Sequence, residues 1–198
     1  MKLIITDVDG VLLDWEGDFN RWMVSKGHTL PANYNANRSY NLAKLWNMPE
    51  WVINHLVTEF NSSSQVGFIK PWGEAGHYVK RLADKGFRFA TCTSFGGTTA
   101  SRALRKYNLE SVFGDVFVEH NIIELHGDKT PTLSKWKGTE LWWLEDNLNN
   151  ARKGLELGLR PILVRHSHNA DYDGDDMLVA NTWREIYTII TGEEEYAE

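Results

Sequence analysis

The chain of 198 residues has the length of one ordinary domain, and its hydrophobic content of 42% is enough for a sizeable core. Its net charge of −6 argues against a general binder of nucleic acids or of anionic membranes, because both attract basic proteins. A short apolar N-terminus, the absence of an apolar run of membrane-spanning length and a single cysteine, Cys92, predict a soluble cytoplasmic protein without intramolecular disulfides.

The first predicted element is a buried strand at residues 3–6, the apolar run LIIT. It leads directly into the sequence DVDG, so Asp7 and Asp9 follow the strand one residue apart. Like charges this close resist joint ionisation. A turn that crowds two carboxylates therefore needs a group that offsets their repulsion.

Residues 14–70 predict helices rather than strands. The helical segments are GDFNRWMVSKG, YNLAKLW and PEWVINHLVTEF, at residues 17–27, 40–46 and 49–60. Pro49 suits the first turn of the third segment, and Val52, Leu56 and Phe60 recur along it at intervals of four. We therefore predict a small helical insert between the first strand and the rest of the domain.

From residue 71 onward, apolar runs alternate with helical patterns. Strands are predicted at residues 87–94, 115–120, 141–146, 160–166 and 177–181, and helices at 71–86, 98–114, 149–158 and 182–192. Strands separated by helix-length segments favour a parallel sheet that is covered on both faces. We predict a Rossmann-like three-layer α/β/α domain built from residues 1–13 and 71–198, with residues 14–70 inserted after its first strand.

Polar residues near the ends of three predicted strands point to a common site. They are Asp7, Asp9, Thr93, Ser94, Glu145 and Asp146, and Lys129 lies in a loop before the third of these strands that is expected at the same edge. Ligands of open parallel sheets bind beyond the carboxyl ends of the strands, so we expect these side chains to meet at one edge. Clustered carboxylates suit Mg²⁺, and a hydroxyl together with a lysine suits a phosphate group.

Four segments resemble, in order, the motifs of the haloacid dehalogenase superfamily: DVDGV, CTS, DKT and WWLEDNLNNA. The resemblance implies a phosphotransferase in which Asp7 attacks phosphorus, while Asp9 protonates the leaving alkoxide and then deprotonates the hydrolytic water. It also implies that Thr93, Ser94 and Lys129 hold the phosphate oxygens. Dehalogenases and ion-pumping ATPases lack an acid at the position of Asp9, so a phosphomonoesterase is favoured here.

The same resemblance implies a Mg²⁺ site. Its ligands would be Asp7, the backbone carbonyl of Asp9, and Asp146. Glu145 is expected beside them, either as an outer-shell partner of the metal or as a partner of Lys129.

The insert resembles the small helical cap of that superfamily, which closes over small molecules. More narrowly, DGVLLDWEGDF and FIKPWGEA resemble the 5'(3')-deoxyribonucleotidases, whose cap aromatics line the nucleobase pocket; Trp15, Phe19 and Trp22 are the candidates here. The insert has five basic and five acidic residues, which argues against a polynucleotide substrate. We expect a monomer or homodimer that hydrolyses a nucleoside monophosphate, with a sugar-phosphate phosphatase, a phosphomutase or a polynucleotide-end phosphatase as alternatives.

Some of these residues also have structural interpretations. Thr93 and Ser94 are suited to cap the helix that follows them, a role that is compatible with phosphate binding. Lys135 and Lys137 compete with Lys129 for the site, and the DKTP setting favours Lys129.

Two further features are interpreted as structural. The acidic segment DYDGDD, at residues 171–176, lacks the glycine and the glutamate of a calcium loop, so we interpret it as a solvated loop. Cys92 is expected to be a small buried hydrophobic residue.

A binding protein that kept the fold without activity is a further alternative, against which the intact set of acids argues.

Overall fold

Six parallel strands form one sheet in a computed structural model that describes residues 2–30 and 41–193. The strands are β1 (Lys2–Thr6), β2 (Phe87–Ser94), β3 (Phe117–Ile123), β4 (Trp142–Glu145), β5 (Arg160–Val164) and β6 (Leu178–Ala180). Their order in the sheet is β3-β2-β1-β4-β5-β6, and every neighbouring pair is parallel. The strand order reverses between β1 and β4, which is where open α/β sheets bind ligands.

Helices connect the strands. The α-helices are α1 (Trp15–Ser25), α2 (Leu42–Trp46), α3 (Glu50–Ser62), α4 (Ala75–Asp84), α5 (Thr99–Phe113), α6 (Thr130–Leu133), α7 (Leu148–Glu156) and α8 (Trp183–Thr191). Short 3₁₀ segments lie at Ser64–Gly67, Ser134–Trp136 and Ser167–Asn169. Within the described ranges, no helix combines the length and the apolar composition that a bilayer crossing needs.

The central strand β1 is buried on both faces. Ile4 belongs to one hydrophobic cluster, which includes Phe89 and Leu144, whereas Ile5 belongs to a second cluster with Trp143. Consecutive strand residues point to opposite faces, so these clusters are the two layers between the sheet and its helices. An uninterrupted apolar run is typical of a parallel strand covered on both sides. The predicted three-layer α/β/α architecture is therefore confirmed.

Strand β3 is longer than the sequence predicts. The predicted strand ends at residue 120, but β3 extends to Ile123. Ile122 and Ile123 pair with Thr93 and Ser94 at the end of β2. These backbone partners come from a distant part of the chain, so the local pattern of residues 121–123 does not reveal them.

Helices α1 to α3 lie between β1 and α4, in the region predicted as a helical insert. Asp14 caps α1, because its Oδ1 accepts a hydrogen bond from the Gly17 N–H (3.1 Å). Pro49 lies at the N-cap of α3, one residue before the first turn in which it was predicted. Residues 31–40 of the predicted insert lie outside the described residues.

The chain enters and leaves the insert through adjacent segments. Two backbone hydrogen bonds join them, Asp14 N–H to Lys70 O (2.9 Å) and Trp72 N–H to Leu12 O (2.8 Å). Just before the insert, the carbonyl of Val11 accepts a hydrogen bond from the buried indole N–H of Trp183 on α8 (2.8 Å). The turn after β1 is thus tied to the core at the point where the insert begins.

Candidate active site

Three buried carboxylates meet at the carboxyl ends of β1 and β4. Asp7 follows β1, Glu145 ends β4, and Asp146 comes next. The Asp7 N–H donates a hydrogen bond to the Leu144 carbonyl (2.8 Å), which continues the parallel pairing of the two strands. One oxygen atom from each of the three carboxylates lies within 4.8 Å of the others. The structure thus brings together the acids that the strand pattern places at this edge.

Lys129 supplies the positive charge of this cluster. Its Nζ lies 2.8 Å from Asp7 Oδ2 and 2.7 Å from Glu145 Oε2, and the residue is only 2% exposed. Burial acts to lower the pKa of Lys129, but the two carboxylates outweigh it and hold that pKa above its usual range. Lys135, one of the rival lysines, instead contacts Glu119 on the surface (3.3 Å).

Glu145 has hydrogen bonds at both oxygens. Its Oε1 accepts from the backbone N–H groups of Asp146 (3.1 Å) and Asn147 (2.9 Å), and its Oε2 accepts from Lys129. Burial and the charge of Asp7 raise its pKa. Of the two roles expected for Glu145, the geometry favours partnership with Lys129, because both of its oxygens are engaged by protein donors.

Asp146 differs from Glu145 in keeping an oxygen without a protein partner. Its Oδ1 is buried and has no hydrogen-bond partner among the described residues. Burial, and then the neighbouring Glu145, raise the pKa of Asp146 well above its usual range. Crowded, desolvated carboxylates with an unused oxygen fit a hard divalent cation, and Asp7 with Asp146 are the residues that could hold it.

The turn after β1 approaches this metal-ligand candidate closely. Gly10 has φ of +76°, and a Cβ at this position would lie 2.6 Å from Asp146 Oδ2. Only glycine adopts this conformation without strain and leaves room for the carboxylate. The glycine of DVDG is therefore required by the site as well as by the turn.

Two histidines that the sequence pattern did not indicate support the turn and Asp146. His166 Nε2 donates a hydrogen bond to the Gly10 carbonyl (2.7 Å), and His168 Nε2 donates one to the Asp146 carbonyl (3.0 Å). Their rings stack with centroids 5.3 Å apart. Burial lowers the pKa of His168 to about 4. The available indication in the sequence was their position directly after β5, at the edge where the acids meet.

The hydroxyls at the end of β2 differ in their partners. Thr93 is 1% exposed, and its Oγ1 has no hydrogen-bond partner among the described residues. Ser94 Oγ donates to the Glu124 carbonyl (2.7 Å). Neither caps the next helix, because Thr98 is the N-cap of α5 and accepts the Ser101 N–H (3.2 Å). The capping alternative was therefore wrong, and Thr93 keeps an oxygen for a ligand.

Asp9 is paired with a residue that the sequence reading missed. Arg105 of α5 is fully buried, and its Nη1 and Nη2 lie 2.8 and 2.9 Å from the two carboxylate oxygens of Asp9. Burial raises the pKa of Asp9 to about 6, against the lowering effect of Arg105. The sequence contains one indication of this pair. Arg105 falls on the same face of α5 as Leu109 and Phe113, which are buried, so a charged residue stands where an apolar one is expected.

A cleft of about 1580 Å³ lies between this edge of the sheet and the helices of the insert. Among its lining residues are Asp7, Asp9, Thr93, Ser94, Lys129, Asp146 and Trp15. Trp15 is partly exposed, and its indole N–H donates to Asn61 Oδ1 (2.9 Å), which fixes the ring on the insert side of the cleft.

The other two predicted aromatic contacts lie away from the cleft wall. Phe19 is 0% exposed and stacks on Trp15 at 5.1 Å, while Trp22 is 8% exposed and contacts Phe60 at 5.6 Å. A base needs an accessible ring face, and these two side chains instead pack in the aromatic cluster of the insert. Of the three candidates, Trp15 alone lines the cleft within the described residues.

Solved structures with a similar fold are known. The protein CbbY from Rhodobacter sphaeroides, in complex with phosphate, is 16% identical with a TM-score of 0.57, over 94% of this chain and 96% of that chain. A D,D-heptose 1,7-bisphosphate phosphatase from B. bronchiseptica, complexed with magnesium and phosphate, is 13% identical with a TM-score of 0.62, over 97% and 99%. An L-2-haloacid dehalogenase is 14% identical with a TM-score of 0.62, over 96% and 100%. This chain has the haloacid dehalogenase-like fold.

Sequence comparison identifies a relative as well. An uncharacterized 32.4 kDa protein of Enterobacteria phage T4, from the Gp30-rIII intergenic region, is 24% identical over 121 residues. The match covers 59% of this chain, which spans less than half of the phage protein, 42% of its length. No protein-family model matches the chain.

Proposed function

We propose that this protein is a Mg²⁺-dependent phosphomonoesterase that works through an aspartyl-phosphate. One observation carries the proposal: Lys129 contacts Asp7 in a buried cluster beside oxygens of Thr93 and Asp146 that have no hydrogen-bond partner in the described part of the chain. A phosphate in the cleft would meet a cation, a hydroxyl and a metal-binding carboxylate beside a candidate nucleophile. Two structures of the same fold contain phosphate, and one of them contains magnesium as well.

The proposed reaction uses two aspartates in turn. A carboxylate oxygen of Asp7 attacks phosphorus, and the bond between phosphorus and the ester oxygen breaks as Asp9 gives its proton to that oxygen. Asp9 then takes a proton from water, which attacks phosphorus and releases inorganic phosphate and the free Asp7 carboxylate. Thr93 and Lys129 hold phosphoryl oxygens, with Ser94 beside them.

Mg²⁺, held by Asp7, Asp146 and the backbone carbonyl of Asp9, would supply charge neutralisation for the transferring phosphoryl group. Lys129 and the backbone orient the Asp7 carboxylate, since Lys129 Nζ lies 2.8 Å from Oδ2 and the Val8 N–H donates to Oδ1 (2.7 Å).

The presence of Asp9 favours an esterase over a dehalogenase. The fold alone does not decide between them, because a haloacid dehalogenase is among the similar structures. An alkoxide is a poor leaving group without a proton, and Asp9 lines the cleft with the Asp7 nucleophile.

A nucleoside monophosphate is the substrate that we propose, with the insert acting as a cap over it. Support comes from Trp15, which lines the insert side of the cleft, whereas the acids line the opposite side. Stacking on an aromatic ring holds any nucleobase and contributes about 1–3 kcal/mol. A sugar phosphate is the second candidate, and the heptose bisphosphate phosphatase among the similar structures favours it.

A panel of phosphomonoesters tests the proposal. Purified protein is assayed for phosphate release from deoxynucleotides, ribonucleotides, sugar phosphates, a 5'-phosphorylated oligonucleotide and p-nitrophenyl phosphate, each with Mg²⁺ and with EDTA. We expect Mg²⁺-dependent release, fastest with a nucleoside monophosphate. Hydrolysis of sugar phosphates alone would replace the nucleotide proposal, and full activity in EDTA or no release from any ester would contradict the function itself.

A further inference from the structure

The guanidinium of Arg105 is fully buried and contacts Asp9 and Phe95, two residues that line the cleft. Its Nη1 lies 2.8 Å from Asp9 Oδ1, and its Nη2 donates a hydrogen bond to Asp9 Oδ2 (2.9 Å). The carbon at the centre of the guanidinium lies 4.4 Å from the centroid of the Phe95 ring. The guanidinium therefore contacts both oxygens of Asp9, one through a hydrogen bond and the other through an ion pair that lacks hydrogen-bond geometry, and it lies over an aromatic ring.

We infer that Arg105 is a positioning residue, which holds the Asp9 carboxylate in the orientation from which it exchanges protons with the leaving group and with the attacking water. The inference rests on the proposed phosphomonoesterase function. A two-point contact fixes the plane of a carboxylate, whereas the ammonium group of a lysine fixes only a distance. Proton transfer depends strongly on such alignment.

The surroundings of Arg105 argue against a role in packing alone. It shares the inner face of α5 with Ser101, Leu109 and Phe113, all of them buried. An apolar side chain would fill this position without the desolvation cost of a guanidinium. Among the described residues, neither Nε nor Nη1 of Arg105 has a hydrogen-bond partner. Its charge is met by Asp9, through the Nη2 hydrogen bond and the ion pair, and by the face of the Phe95 ring.

The first test compares two leaving groups in the variant Arg105→Lys. This variant keeps the charge and loses the two-point contact. For an alkyl phosphomonoester, whose alkoxide needs a proton, we expect kcat/KM to fall by about tenfold or more, because general acid catalysis contributes about 10²–10⁴-fold. For p-nitrophenyl phosphate, whose leaving group departs without a proton, we expect a much smaller loss. KM should change little, because the phosphate contacts remain.

The second test removes Asp9 first. In an Asp9→Asn background, Arg105→Lys should cost nothing further, because a residue that acts through Asp9 has no effect once Asp9 is gone. An equal cost in both backgrounds would overturn the inference. If Arg105→Lys unfolds the protein, a double variant that combines Asp9→Asn with Arg105→Met, and so removes both charges, takes its place. Its kcat/KM is compared with that of Asp9→Asn alone, and a further loss would again overturn the inference.

Crystal structures separate this inference from the proposed function. In Arg105→Lys we expect the Asp9 carboxylate to turn from its wild-type orientation or to occupy two conformers, and an unchanged Asp9 would overturn the positioning role whether or not the protein is a phosphatase. Arg88→Lys is the matched control, because Arg88 is only partly buried near the start of β2 and donates a hydrogen bond to the Asp115 carbonyl rather than to a carboxylate. A wild-type protein inactive on every ester would refute the function, while the orientation of Asp9 would still decide the role of Arg105.

Discussion

The ammonium group of Lys129 lies between two carboxylates, 2.8 Å from Asp7 and 2.7 Å from Glu145, and all three side chains are buried. Removal of this cation would leave two carboxylates and the adjacent Asp146 together in a medium of low polarity. The arrangement therefore links the stability of the fold to the charge balance of the proposed site.

We expect Lys129→Met to abolish phosphate release and to lower the free energy of unfolding by about 3–5 kcal/mol, the usual cost of breaking a buried ion pair. Urea unfolding at neutral pH measures this loss. Lys135→Met is the control, because Lys135 is half exposed and its pair with Glu119 lies on the surface. Equal stability of the two variants would contradict the role given to Lys129.

Asp7→Asn should remove turnover while the melting temperature stays near the wild-type value. The amide has nearly the shape of the carboxylate but is a poor nucleophile and a weaker metal ligand. Initial rates on the best ester and a thermal melt test both statements. Retention of a tenth of the wild-type rate would rule out the covalent mechanism.

Asp146→Asn should stabilise the metal-free protein. Burial raises the pKa of Asp146 in the folded state, so this carboxyl favours folding where it is protonated and opposes folding as pH rises through that pKa. In EDTA, the melting temperature of the variant should exceed that of wild type by about 2–4 °C for each kcal/mol gained, and the gap should widen as the pH rises above the ordinary pKa of an aspartate.

Addition of Mg²⁺ should reverse this order, because the cation stabilises the wild-type protein by binding to the folded state. Differential scanning calorimetry with and without Mg²⁺ measures both effects. An Asp146→Asn protein that gains as much from Mg²⁺ as wild type does would remove Asp146 from the metal site.

Trp15→Ala separates a nucleotide from a smaller substrate. Loss of base stacking costs about 1–3 kcal/mol, which corresponds to about five- to a hundredfold in kcat/KM for a deoxynucleoside monophosphate. Hydrolysis of p-nitrophenyl phosphate should decline much less. Trp51→Ala is the control, because Trp51 lies on α3 of the same insert and is 75% exposed. Equal losses on both substrates, with a lower melting temperature, would mean that Trp15 only packs the insert.

Cys92 should be unreactive in the native protein. The structure confirms that it is buried, and burial raises the pKa of its thiol to about 12. Since the thiolate is the reactive form, Ellman's reagent should label one thiol in guanidinium chloride and almost none in buffer at pH 8. Rapid labelling without denaturant would contradict the packing of β2.

The sheet could be predicted because each of its strands carries a local signal. Ile4 and Ile5 stand in an apolar run that suits a strand buried on both faces, and the alternation with helices gives the parallel order. The acids at the ends of β1 and β4 then meet because parallel strands expose the same end at one edge.

The supporting residues of the site could not be predicted in the same way. The contact of Arg105 with Asp9 and that of His166 with Gly10 join parts of the chain 96 and 156 residues apart. Such contacts depend on how helices and loops pack over the sheet, which no local periodicity records. The sequence pattern also did not distinguish Phe19, which is buried, from Trp15, which lines the cleft, because both are aromatic residues of one helix.

The hydrogen bond between the Trp183 indole and the Val11 carbonyl limits which part of the chain would move if the insert tilted relative to the sheet. Residues before this tie are fixed to the core by the indole of Trp183 and, one residue earlier, by His166 at the Gly10 carbonyl. Leu12 and Leu13 still belong to this anchored turn, because their N–H groups both donate to the Val8 carbonyl (2.8 and 2.9 Å). Asp14 is the first residue whose N–H instead donates to the returning segment, at the Lys70 carbonyl (2.9 Å). A hinge motion of the insert would therefore pivot after residue 13 and before residue 72, and Asp7 and Asp9 would stay in register with the sheet while the cleft opens for a substrate or a product.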